Sequence, residues 1–193
     1  VSVTIIKYNA GNVHSVRLAM NRLGIEPVLS DDPEVIRSAE RVIFPGVGEA
    51  STAMTYLQEH GLTEVIKGLT RPFLGICLGL QLMCAHSEEN DTPCLGLFPV
   101  QVKRFPPAGK VPHMGWNTIT GLRGPLFSGI PDGSFVYFVH SYYAEAVPLA
   151  TAACEYIVPF SAALGRDNFH ALQFHPEKSG DAGEQILRNF LTL

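Results

Sequence analysis

Between Val1 and His86 the chain alternates short β-branched runs with longer amphipathic ones, and that alternation restricts the fold more than any other feature. The run from Val1 to Tyr8 predicts a strand, Val13 to Leu23 a helix, and Pro27 to Leu29 and Arg41 to Pro45 two further strands. Helical spacing near Ser51 to Glu59 and Leu62 to Gly68 precedes a strand at Pro72 to Ile76 and a helix from Leu78 to about His86. Such an order builds right-handed βαβ units, hence a parallel sheet with helices on its faces. After Glu88 the pattern becomes strands punctuated by Pro and Gly: Pro99 to Phe105, Gly115 to Thr118, Phe135 to His140, Ala150 to Val158, Ser161 to Gly165 and His170 to Phe174. These are expected to add antiparallel strands, and Ala182 to Leu191 a closing helix with Asp181 and Glu184 placed for a capping box. The expected architecture is one α/β domain over residues 1–193, with three layers around a central, mostly parallel sheet.

Composition narrows the function. A chain of 193 residues with 46% hydrophobic content can bury one substantial core. A formal net charge of -4 with no long Lys/Arg run gives no footprint for nucleic acid. No apolar stretch approaches the roughly 20 residues of a membrane span, so neither nucleic acid nor membrane is an expected partner and a cytoplasmic location is expected. The four cysteines, at positions 77, 84, 94 and 154, have no spacing suited to a zinc site or a disulfide framework. No metal or cofactor is implied.

The informative stretch is Phe73-Leu74-Gly75-Ile76-Cys77-Leu78-Gly79-Leu80-Gln81, an apolar strand that becomes a helix with Cys77 at the bend. A strand-to-helix turn this sharp crowds its own backbone, and Gly75 and Gly79 remove the Cβ atoms that would collide. A sulfur at the first turn of a helix also faces unpaired N–H groups, which favour thiolate. Cys77 is therefore the candidate nucleophile. Cys84, Cys94 and Cys154 lack such a setting and are expected to be structural.

A nucleophilic cysteine needs a histidine, and the histidine needs a third group to orient it. In Ala171-Leu172-Gln173-Phe174-His175-Pro176-Glu177 a strand is expected to end at His175, with Glu177 on the same side two residues later. Pro176 holds His175 extended, and a carboxylate beside the imidazole raises its basicity. His140 is the nearest rival, but no carboxylate follows before Glu145, so it is expected to be a neighbour of the site. His170, five residues before His175, is expected on the opposite face of the same strand. His14, His60, His86 and His113 are expected at the surface or in packing.

Val42-Ile43-Phe44-Pro45-Gly46-Val47-Gly48-Glu49 ends a strand with a Gly-x-Gly turn. There is no third glycine for a dinucleotide site and no Gly-Lys-Ser/Thr for a P-loop. Two readings remain, a tight connecting loop or an oxyanion loop in which the N–H groups of Val47 and Leu78 face a tetrahedral intermediate.

Together, Pro45-Gly46-Val47-Gly48, Gly75-Ile76-Cys77-Leu78-Gly79-Leu80-Gln81 and His175-Pro176-Glu177 resemble the class I triad glutamine amidotransferases over nearly the whole chain. Pro112-His113-Met114-Gly115-Trp116-Asn117, Tyr137-Phe138-Val139-His140-Ser141-Tyr142 and His175-Pro176-Glu177-Lys178-Ser179-Gly180 are similar to the glutaminase subunits of imidazole glycerol phosphate synthases. The resemblance implies hydrolysis of L-glutamine through a thioester on Cys77, with Gly46, Gly48, Gln81, Ser141 and Tyr142 holding the substrate. It also implies a (β/α)8-barrel cyclase partner that receives the ammonia in histidine biosynthesis, met near Asn12, Trp116, Tyr137 and Lys178. The family's usual Asp-Tyr-Gly-x-Gly-Asn is Lys7-Tyr8-Asn9-Ala10-Gly11-Asn12 here, which reverses one charge near that face. A glutaminase serving anthranilate, pyridoxal phosphate or nucleotide synthesis is one alternative, and a silent regulatory protein with the same fold is another.

Overall fold

The first parallel strands are continuous apolar runs because both of their faces are covered. In the computed structural model, which describes residues 1–193, β1 (Val3–Ile6), β3 (Arg41–Gly46) and β4 (Phe73–Cys77) lie side by side, with β2 (Val28–Ser30) outside β1. Connecting them are α1 (Val13–Arg22), α2 (Pro33–Ser38), α3 (Ala50–Glu59) and α4 (Leu62–Lys67), and α5 (Leu78–Met83) follows β4 directly. Then come β5 (His86–Ser87), β6 (Thr92–Pro93), β7 (Gln101–Arg104), β8 (His113–Ile119), β9 (Ser134–His140), β10 (Tyr142–Glu145), β11 (Ala150–Tyr156), β12 (Val158–Arg166) and β13 (Phe169–Leu172), closed by α6 (Gly180–Thr192).

Eleven strands form one sheet in the order β2-β1-β3-β4-β13-β12-β10-β7-β5-β6, with β11 paired to β12; β8 and β9 form a separate antiparallel ribbon. From β2 to β13 all pairs are parallel, and beyond β13 the pairs are antiparallel except β5 with β7. The sheet separates two apolar cores. On one side Val42, Phe44 and Phe73 pack with α2 to α5; on the other Ile5, Ile43 and Leu74 pack with α1, α6 and the β8–β9 ribbon. Alternation along β4 would place Cys77 with Phe73 on the first side, yet Cys77 packs on the second, because its backbone turns at φ 56 and ψ -108.

The expected layers and the mixed sheet are present, with changes at element ends. The strand expected from Val1 to Tyr8 spans only Val3–Ile6, and the helix expected to reach His86 stops at Met83, since Cys84 is extended. Helix α2 is too short to show a periodicity, although Asp32 accepts from the Glu34 N–H at 2.8 Å and Pro33 opens the helix. Ala150 to Val158 and Ser161 to Gly165 belong to one hairpin that reverses at Ile157, whose φ is 62. The capping box of Asp181 and Glu184 does not form: α6 starts at Gly180, and Glu184 pairs with Arg188 at 2.7 Å.

Two glycines set the closest approaches around the turn. A Cβ on Gly79 would overlap the Phe44 carbonyl of β3, and one on Gly75 would meet the Met83 sulfur and the Gly79 backbone. The first obstacle is rigid main chain, whereas the nearest atom of the second ends a flexible side chain. Gly79→Ala is therefore expected to destabilise by about 3 kcal/mol and Gly75→Ala by less, on the scale of overpacked cores. Urea unfolding followed by circular dichroism measures both, and a smaller loss for Gly79→Ala than for Gly75→Ala would contradict this packing account.

Candidate active site

Strand β4 delivers Cys77 to the end of the parallel sheet, where Gly46 of β3 is its register partner. A non-glycine residue with φ near 56 is strained, and such strain concentrates at functional positions. Cys77 is 6% exposed and its thiol donates to the Val139 carbonyl at 3.8 Å. It opens into a cavity of about 210 Å³ shared with Val47, Gly48, Leu78, Gln81, Ser141 and Tyr142, together with Glu89, Val139 and His140. Seven of the residues expected at the nucleophile, oxyanion loop and substrate pocket thus line one space. Gly46 lies beside it, pressed against the Tyr8 hydroxyl, which would overlap any Cβ there. Gly48 has φ 131, a conformation open to glycine. The Gly11 N–H donates to the Val47 carbonyl at 3.2 Å, so the turn after β1 holds this loop despite Lys7.

His175 does not end a strand. Strand β13 stops at Leu172, so only His170 lies on it and the expected opposition of faces does not apply. The chain then leaves the sheet. The His175 N–H donates to the Tyr137 carbonyl of β9 at 2.9 Å, and the Ser179 hydroxyl donates to the His175 carbonyl at 2.6 Å. His175 is extended, as Pro176 requires, but Pro176–Lys178 is a single 3-10 turn. That turn, rather than strand alternation, brings Glu177 back so that its Oε1 accepts from His175 Nδ1 at 2.8 Å. Gly183 of α6 makes the packing possible, since a Cβ there would overlap the Pro176 carbonyl.

Both side chains of the pair are inaccessible, at 1% for His175 and 0% for Glu177. Asn12 Nδ2 donates to the same Glu177 Oε1 at 2.7 Å, while Glu177 Oε2 has no partner. Asn12, expected at the partner face, is therefore also a support for the carboxylate. Burial opposes charge on His175, but the adjacent Cys77 side chain and Glu177 outweigh it and raise the imidazole pKa to about 10. Nε2 of His175 makes no hydrogen bond of ordinary geometry, so sulfur and imidazole are neighbours without an aligned bond.

The other thiols are inert by environment. Burial pushes Cys94 and Cys154 up to about 12 and raises Cys84 well above the ordinary thiol value. His140 lines the Cys77 cavity as expected, and His113 is buried against it, with 2.9 Å between His113 Nδ1 and His140 Nε2. Of the residues expected at a partner face, Trp116 and Tyr137 pack edge to face at 6.0 Å between ring centres. Trp116, Lys178 and Glu177 line a second cavity of about 430 Å³ on the other side of the carboxylate.

Three further residues of the site receive no role from the sequence. Gln173, fully buried, donates to Cys77 Sγ at 3.7 Å; its only signal is a polar residue inside an apolar strand end. Ser179 also receives the Tyr137 N–H at 3.0 Å, a role no local pattern announces. Glu89 is the lone carboxylate lining the Cys77 cavity, and its pKa is raised, by burial first and then by the neighbouring Glu49.

Comparison with known proteins agrees with this geometry. The model of the family described as Glutamine amidotransferase class-I matches residues 5–193. The imidazole glycerol phosphate synthase subunit HisH of Bacteroides fragilis (strain YCH46) is 58% identical over 194 residues, covering 99% of each chain. That of Shewanella sediminis is 46% identical, covering 100% of this chain and 91% of the relative. Among solved structures, PurLQS from Thermotoga maritima has a TM-score of 0.73 at 15% identity, covering 99% of this chain and 97% of its own. A glutamine amidotransferase from the same organism has a TM-score of 0.65 at 19% identity, covering 100% and 83%. At these identities the two structures speak for the fold alone. The sequence matches go further: this chain belongs to the class-I glutamine amidotransferase family and, within it, groups with the HisH subunits of imidazole glycerol phosphate synthase.

Proposed function

We propose that the chain hydrolyses L-glutamine to glutamate and ammonia, with Cys77 as nucleophile, His175 as proton carrier and Glu177 as its orienting carboxylate. The ammonia passes to a (β/α)8-barrel cyclase that forms imidazole glycerol phosphate and AICAR in histidine biosynthesis. The observation that carries this reading is the strained Cys77, turned out of β4 into a cavity while His175 and Glu177 stand bonded behind it.

The chemistry follows from the placements. With its proton passed to the His175 imidazole, Cys77 Sγ attacks the side-chain amide carbon of glutamine, and the carbonyl oxygen takes up negative charge. Val47 and Leu78 line the cavity, their N–H groups serving that oxyanion, and one such donor contributes on the order of 3 kcal/mol to the transition state. Collapse of the intermediate expels the amide nitrogen, which takes a proton from the His175 imidazolium and leaves as ammonia. His175 then accepts a proton from water as the water attacks the thioester, releasing glutamate and restoring the thiol. Gly46, Gly48, Gln81, Ser141 and Tyr142 hold the substrate, and the Glu89 carboxylate suits its α-ammonium group.

The partner reading rests on a face and on the relatives. The outer side of the β8–β9 ribbon exposes Met114, Trp116 and Phe135 by 58%, 56% and 60%. Beside it stands Tyr137, and Lys178 and Asn12 flank the Glu177 carboxylate on the same approach. An apolar cluster of this kind fits an interface between proteins, and the relatives are named as subunits of a synthase.

Cys77→Ala is expected to lower glutamine hydrolysis by at least about 10³-fold, while the complex with the cyclase still closes the ring from added ammonium salt. Paired glutamine- and ammonia-dependent assays measure this, and joint loss of both activities in a folded complex would contradict the division of labour. Glu177→Gln is expected to reduce kcat by about 10² to 10⁴-fold and to bring the His175 pKa down from about 10 toward its ordinary value. Imidazole NMR titration reads that shift, and an unmoved pKa would remove Glu177 from its role. A pKa raised on folding stabilises most below the unfolded value of about 6.5, and that contribution fades as pH rises through about 10. The stability gap between wild type and Glu177→Gln, from urea unfolding, is accordingly expected to be larger at pH 6 than at pH 10.

A further inference from the structure

Behind the Cys77 cavity a line of buried and half-buried polar groups has its donors and acceptors fixed at every link. The Tyr142 carbonyl accepts from His140 Nδ1 at 2.7 Å, so that nitrogen carries hydrogen. Burial pushes His140 down to about 3 and His113 down to about 4, so both rings are neutral and hold one hydrogen each. His140 Nε2 is then bare and accepts from His113 Nδ1 at 2.9 Å. His113 Nε2 accepts in turn from Asn117 Nδ2 at 3.3 Å.

The same Tyr142 carbonyl accepts from Gln81 Nε2 at 3.0 Å, which fixes the sense of the Gln81 amide. A second N–H of that nitrogen goes to Gln173 Oε1 at 3.1 Å. Gln173 therefore presents Nε2, a donor, to Cys77 Sγ at 3.7 Å. A reversed amide would set an oxygen against the sulfur. The distinction matters once the sulfur loses its proton, because the Val139 carbonyl, its other neighbour at 3.8 Å, can only accept. Gln173 donates to thiol and thiolate alike.

We propose that Gln173 is a positioning residue for the Cys77 sulfur, held donor-first by the Tyr142 carbonyl through the Gln81 amide. The proposal deepens the glutaminase reading and rests on it. On the other branch from the Tyr142 carbonyl, His140 borders the same cavity as Cys77, but both of its ring nitrogens are engaged, by that carbonyl and by His113, which leaves the proton transfers to His175.

The test uses Gln173→Met and Gln173→Leu, which keep apolar bulk and remove the donor. Each variant is assayed in complex with the cyclase for kcat and KM on glutamine, and its Cys77 is alkylated with iodoacetamide at pH 7, the rate being read by peptide mass spectrometry. Loss of a hydrogen bond to a charged sulfur is expected to lower both kcat and the alkylation rate about tenfold or more, with KM held within about threefold. A folded variant with wild-type alkylation rate overturns the proposal. Should both variants fail to fold by circular dichroism, Gln173→Asn carries the test, since it keeps a buried amide but draws the donor back from the sulfur by one methylene. An alkylation rate at least about threefold slower is expected there, and an unchanged rate overturns the proposal. A wild-type complex silent on glutamine would remove the glutaminase reading instead, while the alkylation comparison, which needs no substrate, still decides the role of Gln173.

Discussion

The backbone of Cys77 sits where an L residue is strained, at φ 56 and ψ -108, and the rest of the site is arranged around that conformation. Such strain costs about 1–3 kcal/mol and persists only when its surroundings leave no alternative. Those surroundings are β3 and β4, buried on both faces, with the Phe44 carbonyl seated against the missing side chain of Gly79. Relaxing Cys77 into a regular strand would return its sulfur to the α2–α5 side of the sheet and away from His175. Sheet packing therefore holds the sulfur in place.

His175 is fixed by a different route, through its main chain rather than through a strand. Its N–H reaches Tyr137 on the ribbon, its carbonyl receives the Ser179 hydroxyl, and α6 presses on the turn through Gly183. The β8–β9 ribbon thus has two faces with different tasks. Its inner face carries His113 and His140 toward the cavity, while its outer face exposes Met114, Trp116 and Phe135. Hydrogen bonds tie the ribbon to His175 through the Tyr137 carbonyl and to the Tyr142 carbonyl through the imidazole pair.

Much of the site is legible in the sequence because its demands are local. Gly75, Cys77 and Gly79 answer to the geometry of one turn, and Pro176 to the backbone of one histidine. Glu177 does meet His175, but through a 3-10 turn rather than strand alternation, since either conformation can bring residues two apart onto one side. Gln173 and Glu89 are not legible, because nothing nearby in the chain shows their use: their partners lie on α5, on β4 and at the start of α3. The capping box of Asp181 and Glu184 is absent because α6 already begins at Gly180, which places Asp181 inside the helix, and the N-cap Ser179 is drawn to the His175 carbonyl.

By itself the sequence determined the βαβ alternation, the sharp turn at Cys77 and the pairing of a histidine with a nearby carboxylate, because each depends on residues a few positions apart. Only the tertiary structure decided which way the Gln81 and Gln173 amides point, that the His175 main chain is held by Tyr137 and Ser179, and that Asn12 supports Glu177 across 165 positions of chain. Those outcomes depend on burial and on donor–acceptor complementarity between distant segments, which come into existence when the two cores close on the sheet.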